Sequence, residues 1–306
     1  MKISIVIPLF NKQDSIKRAI NSVLHQVEVN PDDIEIIIVD DGSSDNSSAE
    51  VEQIIETLKG RSISLIKQEN AGVSSARNRG VKHAQSLYVA FLDADDTYEP
   101  TFLSEIDKLI SRFPTSALFC TSYNFVYEED HNVKAAKVAN LSSKKECHIL
   151  PDFFLVAATG DLPFCASSIC VRRSIFWEVG GFPIGENMGE DQSLYCQIAL
   201  RHDIAYSPAP HANYYCCTSG SLMQTHEVAS EMPYSKRIQT LLDQGHIHSQ
   251  KEPSVKKYIA GHLLDLVRRN LYSGNTQAAQ RHLNDARSKA RPLKWLYWAF
   301  RVKVRG

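Results

Sequence analysis

The 306-residue sequence has no apolar run long enough to span a bilayer, which takes about 20 residues. It has no CxxC pair and no His/Cys cluster at zinc spacing. Its seven cysteines are scattered and odd in number, as expected of reduced thiols in a cytosolic chain rather than of a disulfide framework. A basic excess is missing too. Thirty-four Lys and Arg face 35 Asp and Glu for a net charge of −1, which argues against nucleic acid as the main partner. No internal repeat or low-complexity tract is present. Met1-Lys2-Ile3-Ser4 runs straight into a strand, so no signal peptide is expected. These absences point to a cytoplasmic protein, soluble or peripheral on the inner face of the cell membrane. Its 43% hydrophobic content can fill a full core.

What is there is an alternation. Ile3 to Pro8, Ile34 to Val39 and Tyr88 to Leu92 read as buried strands, rich in β-branched and aromatic residues, and Ile63 to Lys67 reads as a strand between the last two. Amphipathic helices separate them. One is opened by Asp14 or Ser15 with Ile16, Ala19, Ile20, Val23 and Leu24 inward; one carries Val51, Ile54, Ile55 and Leu58 and stops at Gly60; one spans Val73 to Ala84. Pro100 suits the first turn of a fourth helix, buried through Phe102, Leu103, Ile106, Leu109 and Ile110. This β-α-β-α order predicts an α/β fold, a mostly parallel sheet with helices on both faces. Ala117 to Thr121 and Ser168 to Val171 read as later strands, and Asp191 to Arg201 as a helix. Residues 124 to 160 are irregular and are expected to supply loops and a strand. Beyond residue 222 the chain reads as helical and charged, without strands.

Four stretches could carry chemistry. Phe91-Leu92-Asp93-Ala94-Asp95-Asp96 puts three carboxylates at the end of a buried strand, where they repel unless a cation or donors satisfy them. Ligands of α/β sheets bind outside the carboxyl ends of the strands, so a divalent metal holding a phosphate-bearing ligand is the expectation there. A solvated acidic turn is the competing reading. Asp40-Asp41-Gly42-Ser43 ends a second strand; a carboxylate there could accept a uracil imide or a ribose hydroxyl, or merely cap the next helix. Asn70 to Gly80 enters a helix through Gly72, with Arg77 one turn in, able to reach a base or phosphate or to face solvent. Gly189-Glu190-Asp191 opens a helix, where an ionised carboxylate suits a general base but also an ordinary N-terminal cap.

Taken in order, these stretches resemble glycosyltransferase family 2, the inverting nucleotide-sugar transferases of the GT-A (Rossmann-like) fold. Ser4-Ile5-Val6-Ile7-Pro8-Leu9-Phe10-Asn11, Val39 to Asp45, Asn70 to Gly80, Phe91 to Asp96, Gly180-Gly181-Phe182 and Glu190-Asp191 carry the resemblance, which covers about residues 1 to 215. It implies that a nucleotide sugar, most commonly a UDP-sugar, lies against Pro8, Phe10, Asn11, Asp40, Asp41, Gly72, Arg77, Asp93 and Ala94. Asp95 would bind Mn2+ or Mg2+ directly and Asp93 would hold the ribose or a metal-bound water, with Asp96 extending the acidic edge. Asp191 would be the catalytic base, with Glu190 beside it. The acceptor would be a hydroxyl of a glycan or lipid-linked oligosaccharide in cell-surface polysaccharide synthesis; transfer to a polyprenyl phosphate and an inactive nucleotide-sugar-binding module are the alternatives. The chain departs from many relatives at Asn213-Tyr214-Tyr215-Cys216-Cys217-Thr218, which lacks their aromatic-Arg segment and following His. His211 or His226 could substitute as a metal or phosphate contact, or be structural.

The expected division is a catalytic domain over residues 1–221 and a helical region over 222–306. The latter ends in Arg287, Lys289, Arg291, Lys294, Arg301, Lys303 and Arg305 among Leu293, Trp295, Leu296, Tyr297, Trp298 and Phe300, with no acid after Asp285. Such a tail suits an anionic membrane surface or a helix docked on protein.

Overall fold

Ile3–Leu9 form β1, and all seven residues are buried. Such a strand must be covered on both faces, the condition that favours parallel pairing. In the computed structural model, which describes residues 2–127, 129, 131–139, 141, 146–186, 188–216 and 230–305, β1 pairs in parallel with β2 (Ile34–Asp40). Beyond β2 lies β3 (Ser62–Lys67), and on the other side of β1 lies β4 (Tyr88–Phe91), both parallel. Helices α1 (Ile16–Leu24), α2 (Ser47–Thr57) and α3 (Val73–His83) make the crossovers, as the periodicity predicts.

Past β4 the sheet becomes mixed. β5 (Thr97–Tyr98) and α4 (Phe102–Arg112) lead into the long β6 (Leu118–Tyr127). β7 (Asn132–Ala135), β8 (His148–Ile149) and α5 (Phe153–Thr159) then occupy the stretch that the sequence left irregular. β9 (Ile169–Arg172) runs antiparallel between β4 and β6. After α6 (Arg173–Glu178) and α7 (Glu190–Arg201) comes β10 (Ile204–Cys216), parallel to β6. The strand order is β3-β2-β1-β4-β9-β6-β10-β5, with β7 on β6 and β8 on β10.

β10 is the main departure from the sequence reading. Pro208 and Pro210 interrupt it, and the register with β6 shifts on both sides of Pro210. Proline cannot donate to the ladder, so it sits where a bulge releases that duty. A 13-residue strand is therefore disguised as a loop.

Side chains of β1 alternate between two cores. Val6 faces one with Ile37, Val39 and Phe91; Ile5, Ile7 and Leu9 face another with Ile16, Ile20, Phe102 and Ile106. Among the described residues four further α-helices follow: α8 (Pro233–Asp243), α9 (Glu252–Tyr272), α10 (Thr276–Asn284) and α11 (Pro292–Arg305). They are not set apart from the sheet. Tyr234, Ile238, Val255, Tyr258 and Leu263 belong to the first core. The boundary expected between residues 221 and 222 lies outside the described residues. Six cysteines among the described residues are free thiols.

Candidate active site

The carboxyl ends of β1 to β4 meet at one edge of the sheet. At β2, Asp41 accepts from the Ala71 and Gly72 amides at 2.9 and 2.8 Å and from Gln68 Nε2 at 2.6 Å. Three of its roughly four acceptor sites thus latch the β3–α3 turn to β2. Asp40 takes the Ser43 amide at 2.9 Å and the Ser48 hydroxyl, the ordinary turn-capping role. Pro8 is buried in register with Val39, and Phe10 stands 45% exposed at the rim. Asn11, in the left-handed region at φ 51°, exchanges hydrogen bonds with Ser43 and Ser44. Pro8, Phe10, Asn11, Asp40, Asp41 and Gly72 are therefore brought to one edge.

The acidic cluster follows β4 on that edge. Asp93 Oδ1 lies 2.6 Å from Arg77 Nη2, and the Asp93 amide donates to Ser167 Oγ at 3.0 Å. Ala94 is buried. Asp95 Oδ2 lies 2.8 Å from Lys12 Nζ, and the Asp95 carbonyl accepts from Arg18, whose guanidinium stacks 3.7 Å above the Tyr215 ring. Asp96 corrects the expected acidic edge. It is 1% exposed and points inward, accepting from Ser167 Oγ at 2.5 Å and the Tyr215 amide at 3.0 Å. Burial first, then the charges of its neighbours, pushes the carboxyls of Asp93 and Asp96 up, with Arg77 opposing this at Asp93.

The second acidic pair opens α7. Gly189, left-handed at φ 79°, precedes it, and a Cβ there would meet Tyr234 Cδ1 at 2.8 Å. Glu190 Oε1 accepts from Arg77 Nη1 at 2.9 Å. Asp191 is half-buried and takes the Gln192 amide at 2.6 Å. Desolvation and the charge of Glu190 push its carboxyl up to about 7, against the pull of Arg77.

Arg77 joins the two groups. It does not face solvent; it is 3% exposed between Asp93 and Glu190. Two neighbours on α3 hold it there. A Cβ on Gly80 would lie 2.3 Å from Val6 Cγ1, so only glycine lets α3 lie this close to β1. Asn78 grips the Phe182 backbone, donating to its carbonyl at 2.7 Å and accepting from its amide at 3.0 Å. His211 Nδ1 shares a hydrogen bond with Thr101 Oγ1 at 3.0 Å. Burial lowers its pKa, so the neutral ring is favoured. His226 lies outside the described residues. The sequence reading missed Lys12, Asn78, Ser167 and Tyr215. Asn78 and Tyr215 sit inside stretches already singled out and Lys12 directly follows one; Ser167 carried no local signal.

The family model of Glycosyl transferase family 2 matches residues 4–180, more than half of the chain. The chain belongs to that family. It is 43% identical over 184 residues to an uncharacterized glycosyltransferase of Nostoc sp., a match covering 60% of this chain and 54% of the relative. The chain thus spans about half the length of the curated relative it matches. Its fold is that of S. aureus TarS 1-349 in complex with UDP-GlcNAc, with a TM-score of 0.68 at 18% identity over 100% of this chain and 89% of the other. It also resembles the mannosyltransferase PcManGT of Pyrobaculum calidifontis in complex with GDP-Man and Mn2+, with a TM-score of 0.57 at 17% identity over 98% and 80%.

The acidic edge fits a hard divalent cation. Its donors are carboxylate oxygens only, which suit Mg2+ or Mn2+ rather than a soft metal. Asp93 and Asp95 keep side-chain exposures of 25% and 19%, and an ammonium already rests on Asp95. Among the described residues no group of three or more His, Cys, Asp or Glu is arranged as a closed metal site. An ion here would draw its remaining ligands from water and substrate phosphates.

Proposed function

We propose that this glycosyltransferase is inverting and dependent on Mn2+ or Mg2+, and that it moves a sugar from a nucleoside diphosphate, UDP first, to a hydroxyl of a glycan or lipid-linked oligosaccharide. The observation that carries the reading is the single buried guanidinium of Arg77, which ties the acidic edge to the α7 acids through Asp93 and Glu190. Donor and acceptor sides of one reaction centre need such fixed spacing.

Asp191 is the proposed base. With its carboxyl near pH 7, it can take a proton at neutral pH and still hold it. It removes the acceptor hydroxyl proton, the acceptor oxygen bonds to the anomeric carbon, and the bond to the leaving phosphate breaks on the opposite face. The bonding pair leaves with the nucleoside diphosphate. One displacement inverts the configuration, and no enzyme nucleophile is needed. Asp95, with Asp93 beside it, would hold the divalent ion, which supplies neutralisation of charge on the leaving diphosphate. Pro8, Phe10, Asn11, Asp41 and Gly72 shape the nucleotide side.

Asp191→Asn is the direct test. Transfer should be lost while Mn2+-dependent nucleotide binding, measured by calorimetry, stays within a few-fold of wild type. Loss of nucleotide binding would undo the role given to Asp191. Retained transfer would undo the mechanism.

A further inference from the structure

Helix α11 has two apolar faces, and only one is buried. Trp298 and Val302, 5% and 3% exposed, enter a small core with Leu264, Val267, Leu271 and Leu283. Trp295 secures this face by donating its indole N–H to the Leu283 carbonyl at 2.9 Å. Leu293, Leu296, Tyr297, Phe300 and Val304 are 84, 57, 50, 66 and 67% exposed. At 100° per residue they fall within an arc of about 100° on the opposite side of the helix. Single exposed apolar residues are ordinary on a protein surface; a continuous stripe of large ones is not.

Charge frames the stripe. Lys303 borders one flank and Lys294 and Arg301 the other, and the sequence has no acid after Asp285. Asp285 and Glu231 pair with Arg287, and Asp265 pairs with Arg268 and Arg269. Arg301 leans toward the tyrosines of the patch, 3.4 Å from the Tyr297 hydroxyl and 3.2 Å from the Tyr272 hydroxyl. Tyr272 is itself 54% exposed.

We infer that this outer face of α11 docks in the plane of an anionic lipid bilayer. Leucine and aromatic side chains along one stripe, with lysine and arginine at its margins, match the boundary between acyl chains and acidic headgroups. A second copy of the chain fits poorly, because a two-fold contact would set these cations against their own images. The helix lies on the membrane rather than through it: no helix among the described residues is long and apolar enough to cross one. The inference stands apart from the proposed reaction, since vesicle binding needs neither donor nor metal.

The test is co-sedimentation of the full chain with vesicles of phosphatidylcholine containing phosphatidylglycerol, against vesicles of phosphatidylcholine alone. Wild type should bind the anionic vesicles at least tenfold better, and added salt should release it. Leu296→Asp combined with Phe300→Asp should weaken binding at least tenfold with an unchanged melting temperature. Lys289→Glu combined with Lys303→Glu, which leaves the stripe intact, should weaken it severalfold. The inference is overturned if wild type stays in the supernatant, if both double variants bind as wild type does, or if light scattering shows a wild-type dimer that the Leu296/Phe300 variant splits.

Discussion

The two acidic groups of this site, Asp93 to Asp96 and Glu190-Asp191, share one guanidinium and part ways beyond it. In each, Arg77 holds one carboxylate, Asp93 at 2.6 Å and Glu190 at 2.9 Å, and leaves a neighbour on the open side. Those neighbours meet different partners. Asp95 receives an ammonium at 2.8 Å, whereas Asp191 receives one backbone amide and the repulsion of Glu190. A carboxylate with a cation at hand suits a cation site. One desolvated beside a like charge is held near neutrality and suits proton transfer. The surroundings thereby separate the two roles proposed for one residue type.

The strongest way to break this comparison is to neutralise Asp191. Asp191→Asn should lower the transfer rate by about 10²–10⁴-fold, the usual worth of a positioned base. In wild type, kcat/KM should rise with pH and level off above pH 7, because the working form is the carboxylate; the variant should lose that limb. Stability should move the other way. The folded carboxyl titrates near 7 and the unfolded one near an ordinary value of about 4, so this group's contribution to folding stability falls as pH rises between them and is gone above 7. Asparagine removes that loss. Asp191→Asn should therefore melt about 2 °C or more above wild type at pH 8 and close to it at pH 4. Equal melting temperatures at pH 8 would mean that Asp191 is not desolvated.

Cutting the shared link comes next. Arg77→Met leaves Asp93 and Glu190 without their cation in a buried setting, and removing one partner of a buried pair typically costs about 3–5 kcal/mol. Urea denaturation should show a loss of that order, with Arg77→Lys intermediate because lysine cannot bridge two carboxylates as a fork does. A loss below about 1 kcal/mol for Arg77→Met would mark the contacts as incidental.

A smaller effect separates carboxylates within one cluster. Asp95→Asn should weaken Mn2+ binding by about tenfold or more, as loss of a metal-site carboxylate does, while Asp96→Asn should leave it within a few-fold and destabilise the fold instead. Equal effects on Mn2+ would erase the division between an outward Asp95 and an inward Asp96.

That division also shows what the chain discloses and what it hides. β1, β2 and β4 were legible because each is a short, mostly apolar run, β3 because its Ile63, Leu65 and Ile66 stand between polar residues, and each crossover helix has a clear inward face. The carboxylates were legible because three in four residues at a strand end have few structural excuses. Partner choice was not. Arg77 finds Asp93 sixteen residues on and Glu190 one hundred and thirteen residues on, and Asp96 turns inward only because Ser167 and the Tyr215 amide wait there. Neither local periodicity nor composition encodes those meetings. The sheet's second half was obscured in another way: β10 carries two prolines and a polar face, so its thirteen residues lack the apolar signature of β1. The outer stripe of α11 fell between, visible as basic-aromatic composition but divisible into buried and exposed faces only once Trp298 and Val302 were placed.

The finest test concerns Lys12, which the sequence reading passed over. Its Nζ rests 2.8 Å from Asp95 Oδ2, with side-chain exposures of 15% and 19%, and its amide is pinned to Ser47 Oγ at 2.8 Å. An ammonium on that oxygen competes with a divalent ion for the same charge. Pairs near a surface are worth about 0–1 kcal/mol, so Lys12→Met should tighten donor-free Mn2+ binding by no more than about fivefold. The donor should respond with the opposite sign. Two phosphates arriving beside Asp95 give the lysine a better partner than the carboxylate it leaves, so the variant's KM for the nucleotide sugar should rise severalfold. Opposite shifts in metal affinity and donor KM would show one ammonium exchanging between a resting carboxylate and the bound diphosphate. Weaker Mn2+ binding in the variant would place Lys12 away from the ion's position and remove the distinction drawn between Asp95 and Asp191.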